Sequence, residues 1–455
     1  MSWVSTFIVA RLLGPADIGL MGMAAVYLGL ATLFTQFGLA TVIITLRDLD
    51  DDQLAQINTV AILLGLAGFV ASCALAMPIA HFFGAPELIW VIVALSAGFI
   101  VGAFRTVPAA LLQKEMRFKL LALIEGCQTL GQSLTTLVLA LLGFRYWALV
   151  VGSLIGTLIL AAAPLAWRAH RFARPRMQTI LEPIRFGWHV LVNGLAWYGY
   201  SNSDFLVAGR VLGQAPLGAY TVAWNLASAP LEKITNLVTG VTPAVFSAVQ
   251  TEHSMLRRYL FSLTEALALV TFPATVGLAL VADELVHAVL GDKWGETVLP
   301  LEILAIYAAL RSIVTLLPQV LTAVGDARFV MRTTLAALMV LPVAFYQGSR
   351  WGAVGIACGW VFVYPFVPLL LYRRLLPKIG MSANQYLAAL KPALNASLAM
   401  AASVGLIKWA LPSEWAPAWR LLIEVLAGAT VYTLTLFGFH RDRIRTLVQR
   451  AGGRS

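Results

Sequence analysis

The feature that most limits how this chain can fold is the recurrence of apolar runs about twenty residues long, broken by Gly, Pro and charged clusters, from one end of its 455 residues to the other. A helix of ~20 apolar residues matches the hydrocarbon thickness of a bilayer, and lipid offers no partner for a free backbone N–H or C=O. Sixty per cent of the residues are apolar and only 12% are charged, a balance foreign to a water-soluble domain of this size. The expected fold is an all-α polytopic membrane protein.

The breaks separate fourteen segments, at residues 1–10, 18–46, 54–80, 88–112, 120–142, 147–167, 186–212, 217–249, 259–281, 299–324, 330–346, 353–371, 386–411 and 419–439. Cations in short loops mark the cytoplasmic side. With the N-terminus inside, the cytoplasmic connections and tail hold Arg47, Lys114, Arg117, Lys119, Arg168, Arg171, Arg174, Arg176, Arg257, Arg258, Arg328, Arg332, Arg373, Arg374, Lys378, Arg441, Arg443, Arg445, Arg450 and Arg454. The outer connections hold Arg11, Arg145, Arg210, Lys293 and Arg350. Twenty against five supports both the segment count and cytoplasmic termini, because one missed helix would scramble the alternation after it. The net charge of +10 is thereby assigned to the membrane pattern, and nucleic acid is not expected as a partner.

Cys73, Cys127 and Cys358 fall inside apolar segments without metal-ligand spacing, so they read as small buried residues rather than a disulfide framework or a zinc site. No phosphate loop appears, which argues against direct ATP hydrolysis. The first segment lacks the features of a cleavable secretory signal and should remain as an anchor.

The chain repeats itself. Residues 7–19, with Phe7, Ala10-Arg11-Leu12-Leu13-Gly14-Pro15 and Gly19, are echoed at 205–218 by Phe205, Ala208-Gly209-Arg210-Val211-Leu212-Gly213 and Gly218. A second echo joins Pro108, Leu111, Arg117 and Phe118 to Pro318, Leu321, Arg328 and Phe329; a third joins Gly143-Phe144-Arg145-Tyr146-Trp147 to Gly348-Ser349-Arg350-Trp351. Internal repeats of this kind build many transporter folds. They predict an N-terminal bundle over 1–168, a basic linker over 169–184, a second six-helix bundle over 185–375, two further helices within 376–440 and a basic tail over 441–455. Only six residues precede Phe7, against about twenty in the segment carrying Phe205, so the first helix looks half missing, either through a start placed too late or as a re-entrant or tilted stub.

The two turn motifs resemble those of the polysaccharide flippase family of the multidrug/oligosaccharidyl-lipid/polysaccharide exporter superfamily. The matching residues are Ala10-Arg11-Leu12-Leu13-Gly14-Pro15 after the first helix and Asp204, Gly209, Arg210, Leu212, Gly213, Leu217, Gly218 and Tyr220 around the end of the seventh, followed by Ala223, Ala227 and Pro230. The resemblance extends over essentially the whole chain; the shortened first helix departs from it. It implies two pseudo-symmetric six-helix bundles plus two C-terminal helices in a V-shaped architecture, residing in the bacterial inner membrane. The implied activity is outward flipping of undecaprenyl-pyrophosphate-linked oligosaccharide by alternating access, with membrane lipids, a polysaccharide polymerase and glycosyltransferases as partners. No cofactor is implied beyond a coupling ion, Na+ or H+.

An anionic, hydroxyl-rich headgroup crossing oil needs a wet cavity with cations for the pyrophosphate and amides, hydroxyls or aromatics for sugar. Arg105 in the fourth segment and Arg311 in the tenth are the deepest cations, one helical turn apart under the Pro108/Pro318 match. Such arginines suit bidentate phosphate contact; the competing reading is a structural ion pair with Glu125 or Glu302. Lys233 is a weaker candidate, able to snorkel or pair. Polar stripes at helical spacing comprise His189, Asn193, Tyr200 and Asp204; Thr221, Asn225, Ser228, Glu232, Thr235 and Thr239; and Glu125, Gln128, Gln132 and Thr136. For the neutral members Asn193, Tyr200, Asn225 and Gln128, sugar binding competes with ordinary polar contacts between helices. Asp204, Glu125, Glu232, Glu265 and Glu302 are the ion-coupling candidates, and spacing does not choose between sodium, protons and facilitated movement.

Arg11 and Arg210 read as helix caps or headgroup anchors, Lys408 and Arg420 as interfacial anchors, and Trp90, Trp147, Trp167, Trp294, Trp351 and Trp419 as interface belts. The rival functions are a multidrug exporter of the same superfamily, whose cationic load would ask for an acidic cavity; a lipid II-type flippase; and a membrane glycosyltransferase or polymerase, which would ask for a larger outer loop than residues 281–299 provide.

Overall fold

The computed structural model describes residues 2–46, 49–167, 171–239, 249–412 and 414–439, together with Thr242, Phe246 and Arg441. Among the described residues there is no strand. The helices are α1 Ser2–Leu12, α2 Pro15–Gln36, α3 Leu39–Thr45, α4 Asp51–Phe83, α5 Leu88–Lys114, α6 Phe118–Leu141, α7 Tyr146–Trp167, α8 Met177–Ser201, α9 Ser203–Leu212 and α10 Gln214–Thr239. They continue as α11 His253–Leu280, α12 Ala282–Leu285, α13 Val298–Val314, α14 Leu317–Ala323, α15 Ala327–Gly348, α16 Gly352–Phe362, α17 Phe366–Ile379, α18 Ala383–Ala410 and α19 Pro417–Phe439. A π turn, Val286–Leu290, and a 3-10 turn, Asp292–Thr297, connect α12 to α13.

Nine stretches among the described residues are long and apolar enough to cross a membrane: Pro15–Gln36, Asp51–Phe83, Leu88–Lys114, Tyr146–Trp167, His253–Leu280, Asp292–Ala323, Ala327–Ile379, Ala383–Ala410 and Pro417–Phe439. The protein is therefore an all-helical, multi-pass membrane protein. Three other long helices, α6, α8 and α10, fall short of that apolarity, and they carry the polar stripes noted above. Proline inside α4, α5, α7, α8, α10, α11, α15, α17 and α18 is tolerated because neighbouring helices re-satisfy the freed backbone groups.

Local chemistry sets the helix ends. Pro15 opens α2 with a φ already suited to the first turn, and the Gly14 N–H donates to Asp17 Oδ2 at 3.1 Å. Asp50 caps α4, its Oδ1 accepting from the Gln53 N–H at 2.6 Å while the Gln53 side chain accepts from the Asp50 N–H at 3.1 Å. Ser382 and Gln385 repeat that reciprocal cap on α18. The predicted segment 18–46 is two helices, because Phe37 and Gly38 adopt left-handed φ values of 45° and 67°. Segment 186–212 likewise breaks at Asn202, between α8 and α9.

By compactness the chain divides into Met1–Gly218 and Ala219–Ser455. In the first unit α4 runs beside α5, α5 beside α7, and α7 beside α6; α2 lies on α4 and α5, and α1 on α6. The repeat places the start of the second half at 185, whereas the first compact unit continues to Gly218, since α8 and α9 lie against α2, α3 and α4. In the second unit α11 packs on α13 and α18, α18 on α19, and α15 on α16. Its core includes Leu256, Leu260, Leu267, Phe272, Leu317, Val320, Leu375 and Leu390.

Hydrophobicity does not drive apolar helices together inside lipid; close approach of small residues does. A β-carbon built on Gly19 would lie 1.7 Å from the Gln214 carbonyl oxygen, and one built on Gly218 would lie 1.8 Å from that of Pro15. The glycines that close the two echoed motifs thus meet backbone to backbone.

Three expectations are corrected. Trp294 is fully buried, with 0% exposure, because the turns after α12 fold over it, so it is a core residue rather than part of a belt. Trp90, Trp167, Trp351 and Trp419 are exposed, as a belt requires. Cys73 and Cys127 are exposed and Cys358 is half-buried, so none of the three is fully buried. Lys408 and Arg420 join an internal ion-pair cluster in place of an interfacial anchor, because Glu284 pairs with both.

Candidate functional site

In the first unit, Arg105 sits two thirds of the way along α5, half-buried, one turn before Pro108. Glu125 of α6 is exposed and is the acidic group that acts electrostatically on the Arg105 guanidinium. The rest of the α6 stripe turns inward. Gln128 Nε2 donates to Gln132 Oε1 at 2.7 Å, and both amides lie over Gly156 of α7, where a β-carbon would come within 2.9 Å of Gln132 Oε1 and 3.1 Å of Gln128 Nε2. Thr136 covers Gly152 in the same way. Gln128 therefore takes part in a polar helix contact of the small-residue kind.

The break at Asn202 shapes the next group. The Tyr198 carbonyl accepts from the Asn202 N–H at 3.0 Å and from Asn202 Nδ2 at 3.1 Å, and the Tyr200 carbonyl accepts from Ser203 Oγ at 3.0 Å. These bonds satisfy the backbone where the helix is interrupted. Asp204 follows in the first turn of α9 and is fully buried, a place where the helix dipole favours a negative charge. Tyr200 is half-buried and Asn193 is exposed. Interrupted helices that bury an acid are where secondary transporters commonly bind ions.

In the second unit, Arg311 of α13 is half-buried with its guanidinium carbon 5.8 Å from the ring centroid of Trp224 on α10, a cation–π distance. Trp224 belongs to an aromatic cluster: its ring centroid is 6.0 Å from that of Tyr307 and 5.5 Å from that of Trp360, and Tyr307 and Trp360 are 4.8 Å apart. Trp360 Nε1 donates to the Tyr220 hydroxyl at 3.2 Å. Asn225 and Glu232 are exposed on α10; the side chain of Lys233 lies outside the described residues. Glu265 is buried in α11, with 4% exposure. Glu302, half-buried on α13, lies within electrostatic reach of Lys408, Asp283 and Glu284.

Within its own unit, the structure brings Arg105 near Glu125, and Arg311 onto an aromatic wall that sequence reading missed. Exposed Glu125, Asn193, Asn225 and Glu232 sit on the helices that are least apolar, and carboxylates there require water beside them instead of acyl chains. The cluster of Trp224, Tyr307 and Trp360 had no signal beyond apolarity, because its members come from three separated helices.

Comparison with known proteins agrees with this picture. Residues 8–299 match the family model described as polysaccharide biosynthesis protein. Over 396 residues the chain is 26% identical to the lipopolysaccharide biosynthesis protein WzxC of Escherichia coli (strain K12), covering 85% of this chain and 80% of that one. It is 22% identical to the succinoglycan biosynthesis transport protein ExoT of Rhizobium meliloti (strain 1021), covering 100% and 92%. A solved structure of the lipid II flippase MurJ in its inward closed conformation shares the fold, with a TM-score of 0.77 at 14% identity over 97% of this chain and 98% of that one. The match over well more than half its length makes this chain a member of the polysaccharide biosynthesis protein family.

Proposed function

We propose that this chain is a transporter that flips an undecaprenyl-pyrophosphate-linked oligosaccharide outward across the bacterial inner membrane, with both termini cytoplasmic. The observation that carries the reading is a half-buried arginine within an apolar span of each unit, Arg105 and Arg311, in a chain whose family makes surface polysaccharide. An arginine held at membrane depth costs several kcal/mol unless it serves a polar interior, and its planar fork suits pyrophosphate oxygens. The basic loops, on the side where cations are retained, support the orientation.

Each residue then has a stated part. Arg105 and Arg311 each offer a guanidinium to the pyrophosphate, and Lys233 is a further cationic candidate. Asn193, Tyr200 and Asn225 offer hydrogen bonds to sugar hydroxyls, and Gln128 shapes the α6–α7 contact. Asp204, buried at the helix break, is the first coupling-ion candidate, ahead of Glu125, Glu232, Glu265 and Glu302; either Na+ or H+ fits a single buried carboxylate. Glycosyltransferases and a polymerase are the partners such a step would need before and after it.

The test is made in proteoliposomes loaded with a fluorescent undecaprenyl-pyrophosphate glycan, reading its access to a membrane-impermeant quencher. The wild-type protein should expose the glycan faster than protein-free vesicles do. Arg105→Ala and Arg311→Ala should each slow it by roughly ten- to a hundredfold, since a charge-assisted hydrogen bond is worth about 1.5–3 kcal/mol. A wild-type rate equal to that of empty vesicles refutes the proposal.

A further inference from the structure

A charge cluster at the ends of α12, α18 and α19 takes no part in the function above. Glu284 of α12, with a side chain 2% exposed, accepts from Lys408 Nζ at 2.6 Å through Oε2 and forms an ion pair with Arg420, whose Nη2 is 3.1 Å from Oε1. One turn past Arg420 on the same face of α19, Glu424 is fully buried at 0% exposure. Neither of its carboxylate oxygens receives a hydrogen bond from a cationic or neutral N–H or O–H donor, and the carboxyl group that faces it at close range is that of Glu284. Lys408 Nζ stands 3.8 Å from Glu424 Oε2, so one ammonium faces two carboxylates and is engaged by Glu284.

The other ionisable groups around it are accounted for. Asp283, half exposed, pairs with His287 Nδ1 at 3.1 Å. Glu302 reaches in from α13. The last two turns of α11, residues 273–280, carry no ionisable side chain, and Asp292, Lys293 and Glu296 are exposed on the 3-10 turn. Glu284 and Glu302 are already two carboxyl groups for the two cations Lys408 and Arg420. A third carboxylate at Glu424 would be a buried charge with no hydrogen bond, a state that costs several kcal/mol.

We propose that Glu424 is a proton-binding site, occupied while Lys408 is held by Glu284, and that release of the proton draws Lys408 from Glu284 on α12 to Glu424 on α19. Arg420 remains on Glu284, so that carboxylate stays paired in both states. A shift of about 1 Å brings the ammonium from 3.8 Å into hydrogen-bond range. The exchange changes how the last two helices are tied to α12, which makes the cluster a device for sensing protons in the membrane.

Infrared spectroscopy of the purified protein at neutral pH tests this whatever the chain transports. The wild-type-minus-Glu424→Gln difference spectrum should show loss of one protonated-carboxyl carbonyl band. Glu424→Asp, which keeps a carboxyl on α19, should shift that band, and it stands in if the glutamine variant does not fold. Lys408→Met should leave the band in place at high pH, because the ionised state loses its partner. A spectrum in which neither Glu424 variant changes a protonated-carboxyl band overturns the proposal.

Discussion

Gly19→Ala tests the contact between the two echoed motifs most directly. In a helix an alanine is favoured over glycine by about 1 kcal/mol, so at an open position the substitution stabilises. At Gly19 the added β-carbon would lie 1.7 Å from the Gln214 carbonyl oxygen and 3.0 Å from the Gly218 nitrogen. An ordinary contact needs roughly twice the first distance, so α2 must move about 1.5 Å away from α10, along a backbone-to-backbone contact with no flexible side chain to yield. Overpacking of that kind costs about 1–3 kcal/mol, and the clash outweighs the propensity gain. The expected net effect is a destabilisation of up to about 2 kcal/mol. Gly218→Ala should cost a similar amount, its β-carbon being 1.8 Å from the Pro15 oxygen. The double variant should cost less than the two together, because one separation relieves both clashes. Gly102→Ala in α5, where nothing lies within 4 Å, is the matched control and should be neutral or slightly stabilising. Thermal unfolding in detergent, read by a thiol-reactive dye or by loss of monodisperse protein, gives the order. If Gly19→Ala melts with Gly102→Ala, the close approach does not exist.

The remaining predictions concern charge and aromatic packing. Arg374 and Lys378 donate hydrogen bonds to the Asp326 carboxylate and hold its pKa below the ordinary range, so the stability from this contact is complete above about pH 4 and is lost as pH falls through the lowered value. Melting temperatures of wild-type protein and Asp326→Asn should therefore differ at neutral pH and converge in acid; a difference that persists below the lowered value refutes the assignment. Glu284→Gln strips the shared partner from Lys408 and Arg420 and should cost about 3–5 kcal/mol. Adding Lys408→Met should recover part of that loss, and a purely additive result in a double-mutant cycle would exclude the pairing. Trp224→Ala removes both the platform under Arg311 and a member of the aromatic cluster, and should destabilise by about 3 kcal/mol or more, whereas Trp224→Phe retains most of the stability; equal melting of the two variants counts against the cluster.

Hydropathy made the helices legible because it reports the solvent, and a run that must avoid water announces itself over ~20 residues. The same property is blind to a turn of one or two residues. The breaks at Phe37 and Gly38 and at Asn202 lay inside single apolar segments for that reason. The echoed motifs were visible because Gly and Pro recur where backbone geometry is demanding. Their mutual contact was not, since self-similarity carries no information about distance. Lys408 and Arg420 looked like headgroup anchors because they stand near helix ends, and their partner Glu284 lies 124 positions before Lys408, beyond any periodic signal.

The polar stripes show where pattern stops and packing starts. Spacing found one face on α6, yet that face divides: Gln128, Gln132 and Thr136 fill the groove left by Gly152 and Gly156 on α7, while Glu125 stays exposed. An amide can satisfy a neighbouring amide across a helix contact at little cost, whereas a carboxylate without a partner has to remain hydrated. The division is therefore made by chemistry at each position and not by period. Arg311 illustrates the converse. Its depth marked it in the sequence, but what holds it is the π-face of Trp224, and an indole that backs onto Tyr307 and Trp360 is indistinguishable by hydropathy from one that faces lipid. A guanidinium on that wall brings two properties to an anion, its charge and the planar fork of its N–H groups. Arg311→Lys, which keeps the charge and loses the fork, separates those two roles: if flipping survives the substitution unchanged, charge alone suffices and bidentate recognition of the pyrophosphate fails.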